Sequence, residues 1–150
     1  MEQKRVLAIA SGGGHWQQLM RLRPAFEKQR AIYVTTNAAY SLDVPGSDLF
    51  VVTDANRDRP LKLIRTAFEM LLRVVRVRPD LVISTGAAPG LFGIIFGRLV
   101  GAQTIWVESI ANAEELSLSG RIALRFAHTV LTQWPHLARP SGPQYHGSIL

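Results

Sequence analysis

A chain of 150 residues, 47% hydrophobic and 19% charged, has the length of a single domain and the apolar content of a globular one, which excludes disordered and fibrous classes. It contains no cysteine, so disulfide frameworks, thiol nucleophiles and cysteine-ligated metals are excluded as well. The net charge of +6 suits an anionic partner, with an ordinary solvated basic surface as the alternative, and without a zinc-finger spacing, a helix-turn-helix signature or an aromatic-and-basic platform a membrane surface is favoured over nucleic acid.

The chain opens on Arg5 to Ala10 (RVLAIA), an apolar run that reads as a buried strand. Met1 leads almost directly into it, so the expectation is a cytoplasmic chain without signal peptide or N-terminal anchor. Trp16 to Lys28 have helix-like spacing, which makes Ser11, Gly12, Gly13, Gly14 and His15 a strand-to-helix turn. Successive glycines admit close backbone approach, and the free N–H groups opening a helix favour an anion. A phosphate site is the functional reading, and glycines that merely tighten the turn are the alternative. The dinucleotide fingerprint fails, because Gln17 stands where its third glycine belongs and YVTTNAAY, at the end of the next strand, offers no carboxylate for a ribose. No Gly-Lys-Ser/Thr follows either, so a Walker loop is excluded. His15 closes the turn with a group that can bond a phosphate or take a proton near neutral pH. The other histidines, His128, His136 and His146, are scattered without ligand spacing, and no metal site is expected.

Further strand-like runs fall at 31–36, 48–53, 80–84, 103–107 and 128–133. Their alternation with helical patterns predicts a mostly parallel α/β sheet with helices on both faces. Asp54 to Pro60 reads as a polar loop. Between Leu61 and Pro79, Lys62, Arg65, Glu69, Arg73 and Arg76 form one narrow polar stripe on an otherwise apolar helix. Its surplus apolar surface, Leu71 and Val75 included, is expected to meet a partner subunit or dip into a membrane interface with its arginines on headgroups, unless the helix is wedged within its own domain. No apolar run reaches the roughly 20 residues of a membrane span, and Leu91 to Ala102 fits a buried crossover helix.

A second small-residue turn, with Thr85 and Gly86, follows the strand at 80–84. Ligands of open α/β sheets sit beyond the carboxyl ends of the strands, so the two turns imply one cleft. Glu108 follows the next strand on that edge and is a candidate base or sugar-hydroxyl ligand, with helix capping or ion pairing as its alternative. Trp134 reads as a packing plug, and 139–150 as a tail or hook.

Taken in order, SGGGHWQQL, ISTGAAPG, WVESIANAEELSLSG and LTQWPHL resemble the successive motifs of a known family, the bacterial polysaccharide-biosynthesis relatives of the acceptor-binding subunit of the dolichol-linked GlcNAc transferase. More distantly the chain is similar to the N-terminal half of the peptidoglycan lipid II GlcNAc transferase. The resemblance implies the Rossmann-like N-terminal half of a GT-B glycosyltransferase, spanning residues 1–150 as one acceptor-binding domain. It implies a heterodimer in which a separate donor-binding subunit holds the nucleotide sugar, UDP-linked, so that this chain binds no cofactor of its own. The acceptor is a lipid-diphosphate-linked sugar of exopolysaccharide or capsule assembly. Gly12, Gly13, Gly14 and His15 would then cradle its diphosphate or lie beside the reacting hydroxyl, with Glu108, Ser109 and Asn112 near the acceptor sugar and His15 favoured over Glu108 as the base. Eukaryotic members usually carry an N-terminal anchor. Here attachment to the inner face of the cell membrane is expected to rest on basic charge and the helix at 61–79. Two further readings stay open: a non-catalytic subunit that recruits or activates a transferase, and a stand-alone nucleotide-binding Rossmann protein.

Overall fold

The computed structural model describes residues 2–149. Seven strands, β1 (Arg5–Ile9), β2 (Arg30–Thr35), β3 (Asp48–Val51), β4 (Leu81–Ser84), β5 (Gln103–Val107), β6 (Thr129–Thr132) and β7 (Gln144–Tyr145), form one parallel sheet in the order β3-β2-β1-β4-β5-β6-β7. Four helices, α1 (Gly14–Leu22), α2 (Pro60–Val77), α3 (Ala87–Leu99) and α4 (Leu118–Phe126), connect them. The chain steps outward from β1 through β2 to β3, then crosses back to β4 and continues the other way. Right-handed crossovers in opposite directions place their connections on opposite faces.

Side-chain alternation along β1 feeds both faces. Leu7 and Ile9 join Met70 and Val74 of α2, Ile94 of α3 and Ala123 of α4 in one core cluster. Val6, Ala8 and Ala10 join Trp16 and Leu19 of α1 and Val44 in the other. From Val6 onward this interior strand is therefore apolar, as a strand covered on both sides must be. Each such Leu or Ile contributes about 1.5–3 kcal/mol through burial.

The helices depart from the sequence reading in ways that have simple causes. The pattern at 16–28 yields only α1 and a 3-10 turn at Arg23–Ala25, because Pro24 cannot continue the ladder. α2 begins on Pro60, whose missing N–H costs nothing at a helix start, and stops at Arg78 in the left-handed conformation. The tail from Arg139 is no free linker. Its Gln144 and Tyr145 pair with Leu131 and Thr132 of β6, and Ile149 packs onto the α1-side core. Without β7 that edge of β6 would present unpaired backbone groups. Among the described residues no helix is long and apolar enough to cross a membrane.

Candidate functional site

The order of the sheet reverses between β1 and β4, and the SGGGH turn and the Thr85–Gly86 turn follow these two neighbouring strands. α3 can open directly over their ends because its backbone lies hard against the sheet. A Cβ at Gly93 would meet Ile9 Cδ1 at 2.1 Å, and one at Gly97 would meet Val82 Cγ2 at 2.5 Å.

In the first turn Gly13 adopts φ 64°, ψ −130° and precedes α1 without any side-chain cap. Gly13 and Gly14 are exposed, and a Cβ on either would find no atom within 4 Å, so the backbone is open to a ligand. One donor is already used: Gly13 N–H donates to the Tyr40 hydroxyl at 2.8 Å. Tyr40 stacks on Trp16 at 4.7 Å, and Trp16 Nε1 donates to Asp43. α3 also starts without a side-chain cap, on Ala87 held at φ 68°, a conformation costly for a residue with a Cβ. The two uncapped helix starts are latched together. His15 Nδ1 lies 2.9 Å from the Thr85 carbonyl, and Thr85 Oγ1 donates to the His15 carbonyl at 2.6 Å. Ser11, two residues beyond the end of β1, is buried.

Glu108 lies at the end of β5 but faces inward. Only 1% of it is exposed, and its carboxylate accepts from Ser109 N, Asn112 Nδ2, Ser117 N and Ser117 Oγ at 2.7–3.2 Å. Ser117 in turn caps α4 by accepting from Gly120 N. The carboxylate therefore binds the loop between β5 and α4 together, in the manner of the capping alternative, and is not presented to a substrate. Asn112 serves the same cage. Ser109 Oγ accepts from Gln18 of α1, while Gln133 Nε2 donates to Gln18 Oε1 and to the Glu108 carbonyl. This buried amide ladder joins α1 to the ends of β5 and β6, and Gln133 Oε1 also accepts from Ile149 N. Trp134 closes over the loop by donating to the Ile110 carbonyl, the plug expected of it.

Tyr40, Gln18, Gln133 and Ser117 escaped the sequence reading. Ser117 carried a usable signal, a serine just ahead of an apolar periodic run. Gln18 and Gln133 offered only their position within otherwise apolar segments.

α2 divides into three faces. Thr66, Met70 and Val74 are buried, whereas Leu61, Ile64, Phe68, Leu71, Leu72 and Val75 remain 37–82% exposed. At about 100° per residue these six fall within an arc of about 100°. Lys62, Arg65, Glu69, Arg73 and Arg76 form the stripe beside it. Arg65 pairs with Glu69 at 3.1 Å, and the Arg73 guanidinium sits 4.1 Å above the Phe50 ring. The helix is thus not wedged into its own core.

A groove of about 1290 Å³ opens at the opposite edge of the sheet, where Arg5, Arg30, Arg78 and Asp80 line it. Its charges are partly spent on each other, Arg5 with Asp80 and Arg30 with Asp48, and the strand starts bring no catalytic group there. No cluster of metal-ligating side chains occurs among the described residues.

Residues 51–149, two thirds of the chain, match the family described as Oligosaccharide biosynthesis protein Alg14 like. The UDP-N-acetylglucosamine transferase subunit ALG14 of Yarrowia lipolytica is 26% identical over a match covering 97% of this chain and 81% of its own length. The human protein of that name is 25% identical, over 91% of this chain and 78% of its own. Among solved structures, Acinetobacter baumannii MurG shares the fold with a TM-score of 0.77 at 15% identity, covering 97% of this chain and 45% of the MurG chain. The UDP-N-acetylglucosamine 2-epimerase of Rickettsia bellii follows with a TM-score of 0.69 at 16% identity, over 90% of this chain and 40% of its own. This chain therefore spans less than half of those solved chains, and its sheet is the Rossmann-like half of a GT-B architecture. With its motifs in order on that sheet and the family match across its greater part, the chain belongs to the Alg14-like oligosaccharide biosynthesis family.

Proposed function

We propose that this chain is the acceptor- and membrane-binding subunit of a two-component inverting glycosyltransferase, a single acceptor domain that works with a separate donor-binding subunit. The observation that carries the reading is the latched pair of uncapped helix starts with His15 between them. Their free N–H groups suit the diphosphate of a lipid-linked acceptor, for which the two helix dipoles add favourable potential. Gly12, Gly13, Gly14, Ser11, Thr85 and Gly86 form the cradle. Ser109, Asn112 and Glu108 shape the neighbouring loop, so the proton acceptor of the pair His15 and Glu108 is His15.

In an inverting transfer the acceptor hydroxyl oxygen bonds to the anomeric carbon, the bond from that carbon to the nucleoside diphosphate breaks, and the leaving group keeps its electron pair. His15 takes the hydroxyl proton. The donor, a UDP-linked sugar, and the stabilisation of its diphosphate belong to the other subunit. The name carried by the Yarrowia lipolytica relative, a transferase subunit matched over 81% of its length, supports the division of labour.

The exposed apolar arc of α2 and its basic neighbours support peripheral attachment to the inner face of the cell membrane. α2 also starts on the edge of the sheet where the two turns lie, because it follows the end of β3, and this suits an acceptor whose tail is in the bilayer. Exopolysaccharide or capsule assembly is the setting we propose for the product, on the motif resemblance alone. Replacing His15 by Ala in the reconstituted pair should lower kcat about 10²–10⁴-fold, the usual worth of a positioned base. Full turnover in that variant would leave this chain a recruiting or activating subunit.

A further inference from the structure

We infer that Thr85 and Gly86 are positioning residues for His15, and that the turn after β4 fixes its imidazole as the Nδ1–H tautomer so that Nε2 is the proton acceptor. The inference rests on the proposed role of His15 as the base, and it adds how that base is prepared.

A carbonyl oxygen only accepts. At 2.9 Å from the Thr85 carbonyl, the neutral ring must carry its hydrogen on Nδ1, which leaves the lone pair on Nε2. Nε2 has no hydrogen-bond partner among the described residues. The same threonine pins the backbone of His15 through its Oγ1 at 2.6 Å, so one residue sets both the ring and the peptide that carries it. Gly86 completes the seat. A Cβ there would lie 2.5 Å from both Cε1 and Nδ1 of His15, and its φ of 141° is one that side chains rarely adopt. The ring thus occupies the space that any residue other than glycine would fill.

The arrangement does the work that a carboxylate does beside the histidine of a Ser-His-Asp triad, with a main-chain carbonyl as the orienting group. When Nε2 takes the acceptor hydroxyl proton the ring becomes an imidazolium, and the bond from Nδ1–H to the Thr85 carbonyl becomes charge-assisted and stronger. The proton later leaves from Nε2 to solvent.

The test uses the full chain, labelled with ¹⁵N-histidine, and reads the long-range ¹H–¹⁵N pattern of the neutral imidazole. The native chain should show His15 with hydrogen on Nδ1. Gly86→Ala should displace the ring and mix the tautomers, and Thr85→Val should do so more weakly while Thr85→Ser keeps the native pattern. In the complex with the donor-binding subunit, Gly86→Ala should lower kcat about 10–100-fold at saturating acceptor, a loss separate from any weakening of acceptor binding that shows in KM. Thr85→Val should fall between, and Thr85→Ser, which keeps the hydroxyl, should recover most of the kcat that Thr85→Val loses. An Nε2–H tautomer in the native chain overturns the inference. So does a Gly86→Ala variant that mixes the tautomers yet keeps its kcat. Full turnover of His15→Ala would instead remove the base itself, a result separable from the other two because the tautomer is read without any reaction.

Discussion

A Cβ on Gly120 would stand 1.7 Å from Glu108 Oε2, closer than any real contact, and the carboxylate has no room to move within its ring of donors. In an exposed helix Gly→Ala gains about 1 kcal/mol of propensity. Here that gain is outweighed, because disturbing a buried carboxylate that accepts several hydrogen bonds costs about 1–3 kcal/mol per donor left unpaired. Gly120→Ala should therefore lower the urea midpoint, and Glu108→Gln should do the same, since an amide nitrogen in place of either oxygen meets a backbone N–H, of Ser109 or of Ser117, that it cannot accept from. His15→Ala should lower that midpoint less than either, since it removes one hydrogen bond at a half-buried site, while it lowers kcat about 10²–10⁴-fold. An unaltered midpoint in Glu108→Gln would mean the carboxylate is not held as the distances indicate. Glu69 allows a second test at this scale. Burial pushes its pKa up, but hydrogen bonds from Thr53 N and Oγ1 and the nearby Arg65 outweigh it and hold the carboxyl below its ordinary 4.5. A lowered folded pKa means that the ionised form stabilises the fold above the unfolded value, and that this contribution fades as pH falls through the folded one. Native protein should lose stability on acidification below about 4.5, and Glu69→Gln should lose less, by no more than about 1 kcal/mol given its partial exposure.

Among the elements, α2 shows how far the sequence could be read. Its polar stripe was plain from spacing, and so was the surplus of apolar surface, because helical period maps residues to faces without knowledge of the neighbours. Which apolar residues are buried was not plain. Thr66, a polar residue, is fully buried because its hydroxyl donates to the Thr53 carbonyl at 2.7 Å, while Phe68 stays 59% exposed. The same limit applies at the site. Gly-rich turns and strand ends were legible, since backbone demands are local, but the inward facing of Glu108 depends on Ser117 and Gly120, residues that only the fold brings to it. The two-residue β7 carries too short a pattern to be seen at all. For α2 the prediction is direct. Replacing Leu71 and Val75 by Asp should cut binding to anionic liposomes at least tenfold in a flotation assay without lowering the thermal midpoint, because both side chains are already 37–48% exposed. Unchanged binding to liposomes and to the donor subunit would leave the arc without a partner.

At the scale of the whole molecule, the question is where a nucleotide sugar could bind, since the topology would admit one at the switch point between β1 and β4. The groups that a nucleotide would need there are engaged by the chain itself. Gly13 N–H is held by Tyr40. Asn37, at the end of β2 where a ribose ligand would stand, caps its own turn by accepting from Ala39 N, and Asp43, the next carboxylate along the chain, accepts from the Trp16 indole. A nucleotide bound in the dinucleotide manner would have to break these contacts, each worth about 0.5–1.5 kcal/mol and more where a charged acceptor is involved. Gln17, in place of the third glycine, adds bulk where helix and strand should close together. The isolated chain should therefore show no saturable heat with UDP-N-acetylglucosamine up to about 1 mM in calorimetry, a ceiling of about 4.1 kcal/mol in binding free energy. Micromolar binding, worth about 8.2 kcal/mol, would place the nucleotide on this chain and favour a stand-alone nucleotide-binding protein. In the weak-binding case, turnover should appear only when a donor-binding chain is added. The open N–H groups at Gly14 and Ala87 would then face the acceptor's diphosphate from one side while the donor is held from the other.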